Sequence, residues 1–169
     1  MDTHTILQRR AVKIAAKLRK EGADKPAPEE SYGLFKQKGD MIYLVGETES
    51  KEVNLDKDYR IQKVMLSAMR KKLVSCVQEV SDEGVFEALL KAAMPAELGF
   101  DITTDSEIPE EKFLFEDPGT CAVVTVPIDK DDELIQFLFD NQVTVMTLGH
   151  VTKGDIRIDD QSYGNIRQI

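Results

Sequence analysis

The chain has 169 residues and a net charge of -9, with 41% hydrophobic and 31% charged residues, two cysteines and two histidines. That length is about one domain, able to bury roughly two thirds of its unfolded surface without disulfides or metals, and the composition is that of an ordinary globular protein. The carboxylate excess excludes nonspecific nucleic-acid binding, which depends on Lys and Arg neutralising phosphates, and no apolar run approaches the ~20 residues of a membrane span.

The first stretch, MDTHTILQRRAVKIAAKLRK, lacks the continuous apolar core and cleavage site of a secretory signal, and Cys76 and Cys121 form no CxxC pair. A cytoplasmic protein with reduced thiols is expected. Residues 1–22 carry Arg9, Arg10, Lys13, Lys17, Arg19 and Lys20 against Asp2 and Glu21, a local +4 that leaves -13 for the rest. Leu7, Ala11, Ile14 and Leu18 give this arm an apolar stripe at helical spacing, beneath a basic outer face. A helix docked on its own acidic domain or on a partner fits the stripe better than an RNA-binding arm does. Gly22 can end the helix in a left-handed conformation, and ADKPAPEESYG, with two prolines and few apolar residues, reads as a linker. Residues 1–35 are therefore expected to be a basic N-terminal helix and linker, peripheral to a domain over residues 36–169 with its own core.

Within that domain DMIYLVG is a short apolar strand, and Lys57 to Leu73 places Tyr59, Ile61, Val64, Met65, Ala68 and Met69 at helical intervals; ETESKEVNLD between them is a polar loop. There follow a strand in CVQEV, a helix from Ser81 to Ala93, strands in GFDITT and CAVVTV, a helix from Asp131 to Asp140 and a strand in VTVMTLGHV. Strand, helix, strand, strand, helix, strand is the split βαβ order of ferredoxin-like sheets, with both helices on one face. DIRID, alternating Ile156 and Ile158 with charges, reads as a half-buried edge strand. The expected fold class is α/β (α+β): a mixed, mainly antiparallel sheet with helices on its face, partly ferredoxin-like and preceded by an N-terminal helix.

Several chemistries find no residues. His4 and His150 stand far apart in unlike contexts, so no His/Cys metal site and no HExxH pattern is expected. Gly149 and Gly154 in GHVTKGD have phosphate-loop spacing, but Asp155 occupies the position of the phosphate-binding lysine, and a tight turn between strands is the better reading. DKDDE, Asp129 to Glu133, lacks the glycine and distal glutamate of a calcium loop and reads as an acidic helix start. No catalytic residue and no cofactor is assigned.

The stretch QEVSDEGVF is less generic. Ser81 can cap a helix, Asp82 and Glu83 complement its positive end, and Val85, Phe86, Leu89, Leu90 and Ala93 make its buried stripe. Gly84 disfavours the first turn by up to ~1 kcal/mol relative to alanine, so it implies close backbone approach, either of a neighbouring segment or of a phosphate on the helix N-terminus.

QEVSDEG resembles the His-Asp-Val-Ser-Asp-Gly-Gly segment of the aminoimidazole ribonucleotide synthetase C-terminal domain family, in the form found in the phosphoribosylformylglycinamidine synthases of purine biosynthesis. FKQKGDMIYLVGE is similar to the opening of that domain, LGFDI and FLFEDPGTCAVVTV to its central strands, and TLGHVTKGDIRID to its closing hairpin. The series runs in the family's order from Gly39 to about Asp160. The resemblance implies an α/β domain with partial ferredoxin-like topology, and an ATP-dependent ligase whose N-terminal domain carries most of the ATP-binding and dimer-forming residues.

Mapped through the resemblance, the candidate substrate-binding residues are Gln78, Glu79, Ser81, Asp82, Gly84, Glu116 and Asp117. The departures are as informative. Gln78 and Glu79 stand where the family has His-Asp, Glu83 replaces a glycine, and Glu116 to Cys121 reads Glu-Asp-Pro-Gly-Thr-Cys where the family has Ser-Glu-Ser-Gln-Glu-Arg. A thiol in place of arginine loses two charged hydrogen bonds to a phosphate. The expected function is a binding or association module that is not catalytic alone, with weak affinity for a phosphorylated ribonucleotide and a protein partner or second copy to associate with. The alternative is a part of the ligase that completes an active site with another chain.

Overall fold

The computed structural model describes residues 3–22, 33–46, 55–105, 107–116 and 121–169, with the side chains of residues 3 and 55–58 excepted. The ADKPAPEESY part of the expected linker and most of the ETESKEVNLD loop lie outside them. In chain order the elements are α1 (Thr3–Lys20), β1 (Met41–Gly46), α2 (Leu55–Arg70), β2 (Cys76–Glu79), α3 (Val85–Ala93), β3 (Gly99–Ile102), α4 (Glu110–Phe115), β4 (Cys121–Val126), α5 (Asp131–Asp140) after a single 3₁₀ turn, β5 (Val145–Thr152), β6 (Asp155–Ile158) and β7 (Gln161–Asn165).

The strands form one sheet in the order β2-β4-β1-β5-β3-β6-β7, antiparallel except between β3 and β6. MIYLVG and CAVVTV are largely apolar because β1 and β4 are central strands covered on both faces. Alternation divides their side chains: Ile42, Leu44, Cys121 and Val123 join one core with α1, α3 and α4, while Tyr43, Val45, Ala122, Val124 and Val126 join a second core with α2 and α5.

The split βαβ unit is present, but in a different frame from the one the sequence rhythm suggests. It runs β1-α2-β2 and β4-α5-β5, whose strands take the order β2-β4-β1-β5, with α2 and α5 together on one face. The helix between β2 and β3 belongs to the opposite face. The rhythm starts the unit at CVQEV and includes GFDITT, yet β3 lies beyond β5 and bonds to β5 and β6.

Helix α1 docks on its own acidic body. Leu7, Ala11, Ala15 and Leu18 are each no more than 1% exposed and belong to the same core as α3. Burying one leucine of this kind stabilises by roughly 1.5–3 kcal/mol, so the expectation of a peripheral helix does not hold in the packing. Its rim adds polar contacts. Arg10 pairs with Glu111 and lies 4.6 Å over the Phe115 ring, Lys17 pairs with Glu83, and Gln8 Nε2 donates to the Ser162 carbonyl oxygen at 2.9 Å.

DIRID is likewise not the edge. The weak-propensity stretch QSYGN forms β7 outside it, through a two-residue hairpin at Asp159 and Asp160, both with positive φ. The Asp159 carboxylate accepts bonds from Thr104 N at 2.7 Å and Thr104 Oγ1 at 2.6 Å, tying the turn to the end of β3.

Candidate functional site

The segment after β2 turns sharply and starts α3 later than the sequence suggests. Ser81 does not cap the helix. Its hydroxyl accepts from Glu83 N at 3.2 Å and donates to Glu87 Oε1 at 3.1 Å, while Gly84, with φ 101° and ψ -179°, is the residue from which the helix springs. That conformation is essentially reserved for glycine, so the helix cannot be propagated back through it to Ser81.

Gly84 has a second constraint. A Cβ on it would stand 2.5 Å from the Leu114 carbonyl oxygen and 2.9 Å from backbone atoms of Phe115. Of the two causes foreseen for this glycine, the neighbouring segment is the one present: the C-terminal turn of α4 packs directly on the start of α3.

Two of the acidic residues around Gly84 are engaged in the fold. Glu83 pairs with Lys17 of α1, and this contact raises the Lys17 ammonium above its ordinary value while desolvation works against it. Glu87, 4% exposed, accepts from Ser81 and pairs with Lys91 at 2.8 Å. Asp82 is exposed.

The two segments that carry the candidate residues come together in the fold. Val80 N donates to the Cys121 carbonyl oxygen at 3.1 Å, and Gly84 abuts Leu114 and Phe115. Their side chains diverge instead. Glu79 faces the α2 side of the sheet with Val77, Ser81 turns to Glu87, and Glu83 turns to α1. Gln78 is half-buried, Glu116 is exposed at the C-terminal end of α4, and Asp117 lies outside the described residues.

On the α2 side lies a groove of about 500 Å³ between α2, the end strand β2 and its neighbour β4, lined by Ile61, Met65, Leu66, Met69, Val77 and Glu79 among others. No lysine or arginine is among its described lining residues. The sequence carried one signal for it: Leu66, 49% exposed, extends the apolar run past the buried stripe of α2. Tyr59, placed on that stripe from its spacing, points outward at 60% exposure and carries Lys63 4.8 Å over its ring.

A second group of ionisable residues had no sequence signal, since its members come from three distant segments. The His4 ring meets Tyr163 edge-on at 5.2 Å, and the Tyr163 hydroxyl makes a long 3.5 Å contact to Glu110 Oε1. Burial, followed by the neighbouring Asp159, raises the Glu110 carboxyl, and burial and Glu110 raise Tyr163. Among the described residues there is no cluster of three or more His, Cys, Asp or Glu able to hold a metal.

The other motifs are structural. Gly149 lies inside β5, where a Cβ would meet the Asp101 carbonyl oxygen at 1.8 Å, and Gly154 lies in the turn to β6. The DKDDE run starts α5, with Asp131 accepting from the Tyr43 hydroxyl.

A family model described as AIR synthase related protein, C-terminal domain, matches residues 33–160. The phosphoribosylformylglycinamidine synthase subunit PurL of Caldanaerobacter subterraneus subsp. tengcongensis is 24% identical over 144 residues, 74% of this chain and 20% of the relative. That of Carboxydothermus hydrogenoformans is 27% identical over 140 residues, 72% of this chain and 19% of the relative. The chain thus spans about a fifth of the length of these relatives. Among solved structures, phosphoribosylformylglycinamidine synthase II of Thermotoga maritima superposes with a TM-score of 0.69 at 11% identity, over 82% of this chain and 27% of that one. T. maritima PurL complexed with FGAR gives 0.66 at 10% identity, over 81% and 29%. At that identity the likeness is one of fold.

Proposed function

The chain belongs to the AIR synthase related protein C-terminal domain family, and from that premise we propose that it is a binding or association module of purine biosynthesis that does not turn over substrate by itself. The observation that carries this reading is the contact between the Leu114 carbonyl oxygen and Gly84. The glycine that would let a phosphate approach the helix backbone is spent on letting α4 approach it. Glu83 adds a carboxylate beside the same helix end, which disfavours an anion.

Residues 36–169 form the family-like domain in this reading, and residues 1–35 its basic helix and linker, with α1 as an integral cover of one face. A phosphorylated ribonucleotide binds weakly, through what is left around Ser81, Asp82 and Gly84. T. maritima PurL has been solved with ATP and with FGAR, and also within PurLQS, so relatives of this fold bind nucleotides and assemble with other chains. The cytoplasm is the compartment we assign; no helix among the described residues is long and apolar enough to cross a membrane.

Titration calorimetry of the chain with FGAR and with ATP, beside an ATPase assay containing FGAR and either glutamine or ammonia, tests the proposal. No ATP consumption and a Kd weaker than ~1 mM are expected. Micromolar binding, or turnover that tracks the pure protein and vanishes in Asp82→Ala or Asp117→Ala, overturns it. A second reading, in which the chain supplies one wall of an active site completed by another chain, draws on the groove beside Glu79, Cys121 and Ala122. Turnover appearing only when a PurL-type partner is added would favour it.

A further inference from the structure

The two ends of the sheet are treated differently. At one end, α1 covers β7: Gln8 bonds the Ser162 carbonyl oxygen and His4 packs on Tyr163. At the other end, among the described residues, β2 has a single neighbouring strand, β4. Its outer row of backbone donors and acceptors is therefore a template for another strand.

The surroundings of β2 have a polarity along the strand. Arg70, Lys71 and Lys72, all exposed, precede it, while Glu79 is its last residue and Asp82 follows it, both exposed. On the α2 side the groove runs along the same edge, with Leu66 on its rim and Met65, Met69 and Val77 in its wall.

We propose that the β2 edge is a self-association surface, where a second copy of this chain pairs its own β2 antiparallel to the first about a two-fold axis. The charge pattern selects this occupant. An antiparallel pairing of identical strands necessarily lays the acidic end of one against the basic end of the other, twice over, whereas a parallel pairing sets like charges together. Joining the sheets in this way also joins the two grooves, so that Leu66 of each copy leaves water against the groove of the other. β2 has only four residues, which limits the number of backbone bonds gained and makes the pairing a weak, reversible one.

This inference rests on the association reading above and specifies its surface. Sedimentation velocity of the full chain across the micromolar range is the test, with circular dichroism melts as the control for folding. A reversible dimer is expected. Glu79→Lys and Lys72→Glu should each weaken it about tenfold or more through like-charge contacts at the seam, and the double variant should recover most of the loss. Leu66→Asp, at an exposed position, should give a folded monomer. A wild-type chain that stays monomeric throughout, or a dimer indifferent to all four variants, overturns the β2 pairing. Neither result touches the claim that the chain lacks turnover, which stands or falls with the ATPase assay.

Discussion

The carbonyl oxygen of Leu114 lies 2.5 Å from the point where a Cβ on Gly84 would stand, and Gly84 itself has φ 101°. Two independent constraints thus meet at one residue, a backbone region closed to L side chains and a neighbour that leaves no space. Gly84→Ala should destabilise the protein by about 2–4 kcal/mol, combining the backbone strain and the overpacking. Urea denaturation measures it directly. A loss under ~1 kcal/mol would mean that the α3–α4 contact yields easily, and that the glycine has another purpose.

Helix α1 should be needed for folding. Leu7→Ala and Leu18→Ala remove side chains that are 1% exposed and should each cost about 2–4 kcal/mol. Removing residues 1–22 should expose the face of α3 and give a broadened, less cooperative melt. Lys17→Ala should change stability little, since its pair with Glu83 is at the surface. A sharp melt from the truncated chain, unchanged in midpoint, would refute the structural role.

Alkaline pH should reveal the buried thiol of Cys76. Burial pushes it up to about 12, Lys36 and the hydrogen bond of Thr125 oppose the shift, and Asp40 adds to it. The folded state then holds its proton more tightly than the unfolded state, where a thiol titrates near ~8.5. The associated stability is complete below that pH and is lost as pH rises towards 12. Tyr43 and Tyr163, also raised, add losses of their own, so the difference between the wild type and Cys76→Ala isolates the thiol. Denaturation midpoints from pH 8 upward should fall more steeply in the wild type; parallel profiles would contradict the assignment.

The Asp159 turn can be tested by a graded pair. Its carboxylate satisfies both the amide and the hydroxyl of Thr104, which is 9% exposed. Asp159→Ala leaves both donors unpaired and should cost about 2–3 kcal/mol, while Asp159→Asn keeps one acceptor and tolerates the positive φ, costing about 1 kcal/mol. Thermal melts should preserve that order. Equal losses would show that the hydrogen bonds to Thr104 do not carry the effect.

What the sequence determined by itself was carried in local patterns. The largely apolar runs MIYLVG and CAVVTV specify strands, and the stripe Leu7, Ala11, Leu18 specifies a helix with a side to bury. The motif order from Gly39 to Asp160 carried the family, which the model match over 33–160 establishes. Periodicity reports that a face is buried and stays silent on what buries it. Only the tertiary structure decided that α1 is covered by the chain's own α3 and β7, that the split βαβ unit takes β1 with β2 rather than β2 with β3, and that QSYGN becomes a strand. The same holds for Gly84, whose partner Leu114 is thirty residues away in the chain, and for the candidate residues around it. The segments that carry them do meet, but the direction of each side chain is set by the strand pleat and by which helix stands opposite, and these sent Glu79, Ser81 and Glu83 to three different neighbours.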